Sequence, residues 1–157
     1  MRKIFLETSF FSFLDASDAL SKQVKTRALY DLLRLGADVE TFTSTSVLEE
    51  INNCHEPKRQ FMMDRVMESC KVLPITEEDN KLRDVYFSDG VLTAKSLMDL
   101  LHVAVAVRNE CAVILSWNMK HLANFKTVER INKTNFVRGL IGIQIMTPHN
   151  YLMEEYL

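Results

Sequence analysis

Five short runs rich in β-branched and aromatic residues, Lys3 to Leu6, Val39 to Thr43, Lys71 to Ile75, Ala112 to Trp117 and Ile143 to Met146, alternate with longer stretches of helical spacing. Strands that alternate with helices build parallel βαβ units, so the pattern predicts an α/β domain with a parallel sheet flanked by helices. A helix is expected from Leu20 to Leu35, where Val24, Ala28, Leu29, Leu32 and Leu33 recur on one face and Gly36 stops the run. Three further helix starts carry a hydroxyl followed three residues on by an acid: Ser46/Glu49, Thr76/Asp79 and Ser96/Asp99. The segment Val103 to Val107 alternates with period two. The cap at Ser96 and the leucines at 97, 100 and 101 nevertheless make Ser96 to Arg108 a helix, apolar nearly all round and buried against the sheet.

Length then sets the scale. At 157 residues and 47% hydrophobic content, the chain fits one domain spanning residues 1–157, with no repeat, low-complexity tract or Gly/Pro-rich linker. Cys54, Cys70 and Cys111 show no CxxC spacing and leave one unpaired, which suits a reducing cytoplasm rather than a disulfide framework or zinc site. Glu7 and Asp15 interrupt the apolar start, so it reads as a buried first strand rather than a signal peptide. No apolar run approaches the roughly 20 residues needed to cross a bilayer, and no membrane role is expected.

In a doubly wound sheet, ligands collect outside the carboxyl ends of the strands. Glu7 ends the first strand, Glu50 follows the second, Asp99 opens the buried helix and Asn118 follows the fourth strand, so all four map to one edge. Acids there also complement helix dipoles, and Asp99 has the alternative of capping with Ser96. Glu49, as the partner of Ser46, leaves Glu50 free for the edge. His102 shares a helical face with Asp99, where a lone His among Leu and Val is more often a core residue than a ligand. There is no HExxH motif, no Gly-rich phosphate loop, and no GxSxG elbow around Ser9 or Ser12. Clustered carboxylates without Cys or His suit a hard ion, Mg²⁺ or Mn²⁺, acting on phosphate esters.

A net charge of −2 gives no global case for nucleic-acid binding. A local one exists at Lys120, Lys126, Arg130, Lys133 and Arg138, with His121 added and only Glu129 opposing; a solvated helix face is its other reading. Phe61, Met62, Val66 and Met67 form an apolar set that serves either the core or an interface with a partner protein or a second copy.

Together these segments resemble the PIN-domain nucleases, particularly the VapC-type toxins of bacterial and archaeal toxin-antitoxin pairs, over nearly the whole chain. Glu7-Thr8-Ser9 is similar to the opening Asp-Thr-Ser/Asn motif and Val47-Leu48-Glu49-Glu50-Ile51 to the second acidic motif. Asp99-Leu100-Leu101-His102 resembles the Asp-Ala-Leu-His element, and Ser116-Trp117-Asn118-Met119-Lys120-His121 the fourth motif. The resemblance implies a PIN-like three-layer domain with a parallel sheet of about five strands. It further implies a Mg²⁺- or Mn²⁺-dependent endoribonuclease in the cytoplasm, with RNA as substrate and an antitoxin or a homodimer as protein partner.

By the same resemblance Glu7, Glu50 and Asp99 are metal ligands and Asn118 is a fourth, standing where many members have Asp. Thr8, Ser9 and Ser116 orient the cluster, and Lys120, Arg130 and Lys133 hold RNA. Two departures bear on activity. Glu7 replaces the usual Asp and lengthens the reach by roughly 1.5 Å; Asn118 removes a charge and weakens a second metal site. The competing expectations are a catalytically impaired PIN-like module that binds RNA or a partner, and a small metal-dependent phosphatase of another α/β family.

Overall fold

The computed structural model describes residues 1–156. Five parallel strands, β1 (Arg2–Leu6), β2 (Val39–Ser44), β3 (Lys71–Leu73), β4 (Val113–Leu115) and β5 (Gln144–Met146), lie in the order β3-β2-β1-β4-β5. Each matches one of the apolar runs to within two residues per end. Eight helices join them: α1 (Thr8–Ser12), α2 (Leu20–Leu35), α3 (Thr45–Asn52), α4 (Lys58–Ser69), α5 (Glu77–Ser88), α6 (Leu97–Arg108), α7 (Phe125–Val137) and α8 (Pro148–Tyr156). From β1 the chain winds outward through β2 to β3, then crosses back to β4 and β5. Right-handed crossovers in opposite directions carry helices to both faces of the sheet, as the three-layer reading requires.

Because the sheet is covered on both faces, its inner strands are apolar throughout rather than alternating. Ile4, Phe5 and Leu6 of β1 and Val113, Ile114 and Leu115 of β4 are all buried, and their register pairs Ile4 with Val113 and Leu6 with Leu115. The segment with strand-like alternation is helical: Leu100 through Val107 are buried on every side in α6, where the all-round apolar sequence packs under the sheet. The apolar set on α4 divides, with Met62 and Val66 fully buried, Phe61 half-buried against the core and Met67 63% exposed. Among the described residues no helix is long and apolar enough to cross a membrane.

Two helix starts differ from the sequence reading. The backbone of β2 stays extended through Ser44 (φ −137°, ψ 166°), so Ser44 caps α3 by accepting the Val47 amide, and Ser46 with Glu49 forms no capping box. Ser96 lies at the end of a 3-10 turn, Ala94–Ser96, with φ −112° and ψ 23°; it makes no side-chain cap, so Asp99 is not its partner. The third pair behaves as written: Thr76 and Asp79 form a complete capping box on α5.

Candidate functional site

The winding direction reverses at β1, and the crevice outside the carboxyl ends of β1 and β4 is the place where an open α/β sheet binds ligands. Glu7 is the first residue past β1 and caps α1. Its side chain is 5% exposed. One oxygen, Oε2, takes three donors: the Ser9 amide at 3.1 Å, the Ser9 hydroxyl at 2.5 Å and the Ser116 hydroxyl at 2.8 Å. The other, Oε1, receives no hydrogen bond among the described residues.

Glu50 approaches from the last turns of α3. Its Oε1 accepts from His102 Nε2 at 2.7 Å and from the Thr8 hydroxyl, again leaving the second oxygen without a donor. Burial alone would push this carboxyl up, but the His102 hydrogen bond and charge and the Thr8 hydroxyl outweigh it and hold Glu50 below its ordinary value. His102 itself is wholly buried. Burial would lower it, yet the Glu50 hydrogen bond and the charges of Glu7, Glu50 and Asp99 raise it. One ligand-capable atom each from Glu7, Glu50 and His102 lie within 4.8 Å of one another.

Asp99, the third residue of α6, is half-buried and accepts no hydrogen bond among the described residues. Burial first, then the negative charge of Glu7 and of Glu50, push it up to about 6 against partial relief from His102 and His121. A carboxylate kept in such a field without a hydrogen-bond donor is destabilising unless a cation arrives. The three carboxylates offer hard oxygen, which fits a Mg²⁺- or Mn²⁺-sized ion better than a soft one, and the one nitrogen beside them belongs to His102.

Asn118 is placed differently. Its side-chain oxygen accepts the His121 amide at 3.0 Å, closing a local turn after β4, and its own amide donates to Ser116 Oγ at 3.0 Å. The expected ligand oxygen is thus already engaged. Ser116 Oγ links the turn to Glu7, while the Ser9 hydroxyl accepts the Trp117 amide at 2.8 Å and ties α1 to the same segment. Thr8, Ser9 and Ser116 therefore contact the two glutamates directly. Lys120, Arg130 and Lys133 are exposed, the last two beside Asp89 and Thr134 along a cleft of α7.

Sequence reasoning set His102 down as a core residue more often than a ligand and Ser46 as a cap, and linked neither to Glu50. Ser46, read as a cap, sits 3.1 Å from His102 Nδ1, and Ser44 Oγ lies 2.6 Å from Ser46 Oγ. The signal available was the i, i+3 spacing of Asp99 and His102, which puts the ring on the helical face of a site acid.

Comparison with solved structures now bears on this arrangement. The VapBC2 structure from Rickettsia felis, bound to a DNA fragment from its promoter, superposes with a TM-score of 0.57 at 15% identity, covering 92% of this chain and 98% of that one. VapC20 of Mycobacterium tuberculosis, described as a sarcin-ricin loop cleaving toxin, gives 0.53 at 18% identity, covering 90% and 98%. The chain has the PIN-domain fold of the VapC toxins. No family model matches the sequence, and no curated protein matches it either. In that fold Glu7 and Glu50 meet His102 at the switch-point crevice described above, and the charges of both glutamates act on Asp99.

Proposed function

We propose that this chain is a Mg²⁺- or Mn²⁺-dependent endoribonuclease that cuts single-stranded RNA in the cytoplasm as the toxin of a toxin-antitoxin pair. The observation that carries the reading is the division within each glutamate. Glu7 and Glu50 each give one oxygen to hydrogen bonds from the protein and keep the other free beside a third, unpaired acid, Asp99.

Glu7, Glu50 and Asp99 would hold a divalent cation, which would supply Lewis acidity at a phosphate oxygen and a lowered pKa for an attacking water. The chain's own groups do the rest. Ser9 and Ser116 keep Glu7 oriented, Thr8 and His102 keep Glu50 oriented, and Lys120, Arg130 and Lys133 attract the RNA backbone. Likeness to VapC20 supports an RNA substrate, and likeness to VapBC2 supports an antitoxin partner.

The test is incubation of labelled single-stranded RNA with purified protein and Mg²⁺ or Mn²⁺, alongside EDTA and Asp99→Asn. Cleavage by the wild type that both controls abolish is the expected result. One observation favours a second reading, an impaired module that binds RNA or a partner: a neutral amide, Asn118, stands where a fourth carboxylate would add charge, and its oxygen already accepts the His121 amide. Protein that binds RNA but does not cut it with Mg²⁺ or Mn²⁺ present, after mass spectrometry has excluded bound antitoxin, would decide for that reading.

A further inference from the structure

Proximity alone makes His102 a third ligand beside Glu7 and Glu50. Hydrogen-bond polarity argues otherwise. An ionised carboxylate has no proton to give, so the 2.7 Å contact to Glu50 Oε1 requires the proton to sit on His102 Nε2, with no lone pair there for a cation. Nδ1 faces the Ser46 hydroxyl at 3.1 Å, which lies 2.6 Å from the Ser44 hydroxyl, and that oxygen accepts the Val47 amide. With the imidazole neutral, donation runs from Val47 through Ser44 and Ser46 into Nδ1 and from Nε2 into Glu50, and each buried hydroxyl donates once and accepts once; a doubly protonated ring carries the same Nε2 proton, so neither state offers Nε2 to a cation. Reversing the direction would leave the Ser44 proton without an acceptor among the described residues, so the fixed backbone amide sets the polarity of the whole chain.

We propose that His102 is a positioning residue and not a metal ligand: backed by Ser46 and Ser44, it holds Glu50 by Oε1 so that only the opposite oxygen is presented to a divalent cation. The inference rests on the metal-nuclease reading and deepens it. The imidazole is wholly buried with its centroid 6.2 Å from that of Phe5, so it is packed in place. Thr8 donates to the same Glu50 oxygen, and Ser9 with Ser116 treat Glu7 in the same manner through Oε2. Both glutamates are thereby fixed as one-oxygen donors before an ion arrives, which removes the ordering cost of two long side chains from the binding step.

The experiment is Mn²⁺ titration of the full chain followed by electron paramagnetic resonance, with electron spin echo modulation on the bound ion. The variants are His102→Gln, His102→Ala and Ser46→Ala. The wild-type spectrum is expected to show no directly bound nitrogen. His102→Gln, whose amide can donate from nearly the same place, is expected to keep Mn²⁺ affinity within about threefold, while His102→Ala loses about 10- to 100-fold and Ser46→Ala falls between.

A nitrogen coupling in the wild type that disappears in His102→Gln overturns the inference and leaves the metal site standing; so does an His102→Ala protein of undiminished affinity. If His102→Ala does not fold, the wild-type spectrum and Ser46→Ala still decide. A wild type that binds no Mn²⁺ overturns the metal reading itself, and this inference with it.

Discussion

Asp79 and Asp99 both stand three residues past a hydroxyl at the approach to a helix, and α5 and α6, which carry them, pack against each other. Their surroundings are opposite. Asp79 is fully buried and saturated: it accepts the Thr76 amide at 2.8 Å and Arg108 Nη1 at 3.0 Å, while its own amide donates to the Thr76 hydroxyl. Asp99 has no donor and faces two other carboxylates. The first acid belongs to the architecture, joining the start of one helix to the end of the next. The second is held at a cost in stability, and such costs gather at functional sites.

Four measurements press on that contrast. The largest effect is expected in catalysis: Asp99→Asn lowers metal-dependent RNA cleavage by more than the roughly 10- to 100-fold that loss of an outer-shell partner produces, while Asp79→Asn leaves the rate unchanged. Equal losses from the two variants would erase the distinction. Next comes stability. Asp79→Ala removes the capping box and the Arg108 pair, and because Arg108 keeps a third of its side chain in water the cost is about 2 kcal/mol rather than that of a fully buried pair. Calorimetry should then show a melting temperature lower by about 4–8 °C.

Asp99→Asn is expected to move stability the other way, by about 1 kcal/mol in metal-free protein at pH 8. The folded-state value of Asp99, about 6, exceeds the ordinary 3.8, so the folded state binds the extra proton between those values. Its stability penalty is therefore fully present above about pH 6 and fades as the pH falls toward 3.8. Urea midpoints of wild type and variant should converge between pH 8 and pH 5; a constant gap would assign the effect to something other than this charge. The smallest effect concerns charge remote from both aspartates. Lys133→Ala is expected to weaken RNA binding a few-fold and to flatten the salt dependence by about 0.7 in log–log slope, as for one lost phosphate contact on a single strand.

The five strand positions and the edge where the acids map were readable because hydrophobic period and the rule for carboxyl ends of parallel strands are local and topological properties, whereas the order β3-β2-β1-β4-β5 was not. Glu7, Glu50 and Asp99 follow from those alone. What was not readable depends on backbone angles at single residues and on contacts across long separations. Ser44 rather than Ser46 caps α3 because β2 ends at Ser44 and the helix begins at once at Thr45, two residues before the start that the Ser46/Glu49 pattern predicts. Ser96 fails as a cap because a 3-10 turn leads into α6, and its hydroxyl instead lies 3.4 Å from His121 Nδ1. Asn118 has the residue type of a ligand, but a three-residue turn claims its oxygen. The partnership of His102 with Glu50 spans 52 residues and leaves no mark in either local pattern.

The placement of β1 in the middle of the sheet also sets a timetable. Glu7 is made 109 residues before the Ser116 hydroxyl that completes its environment, and that serine follows the strand that pairs on β1's second side. Since synthesis proceeds from the N-terminus, the acids of a nascent chain stay unassembled until β4 has emerged and docked. From the synthesis of Asp99 until β4 docks, the growing polypeptide thus carries Glu7, Glu50 and Asp99 without the Ser116 hydroxyl that holds Glu7 in place.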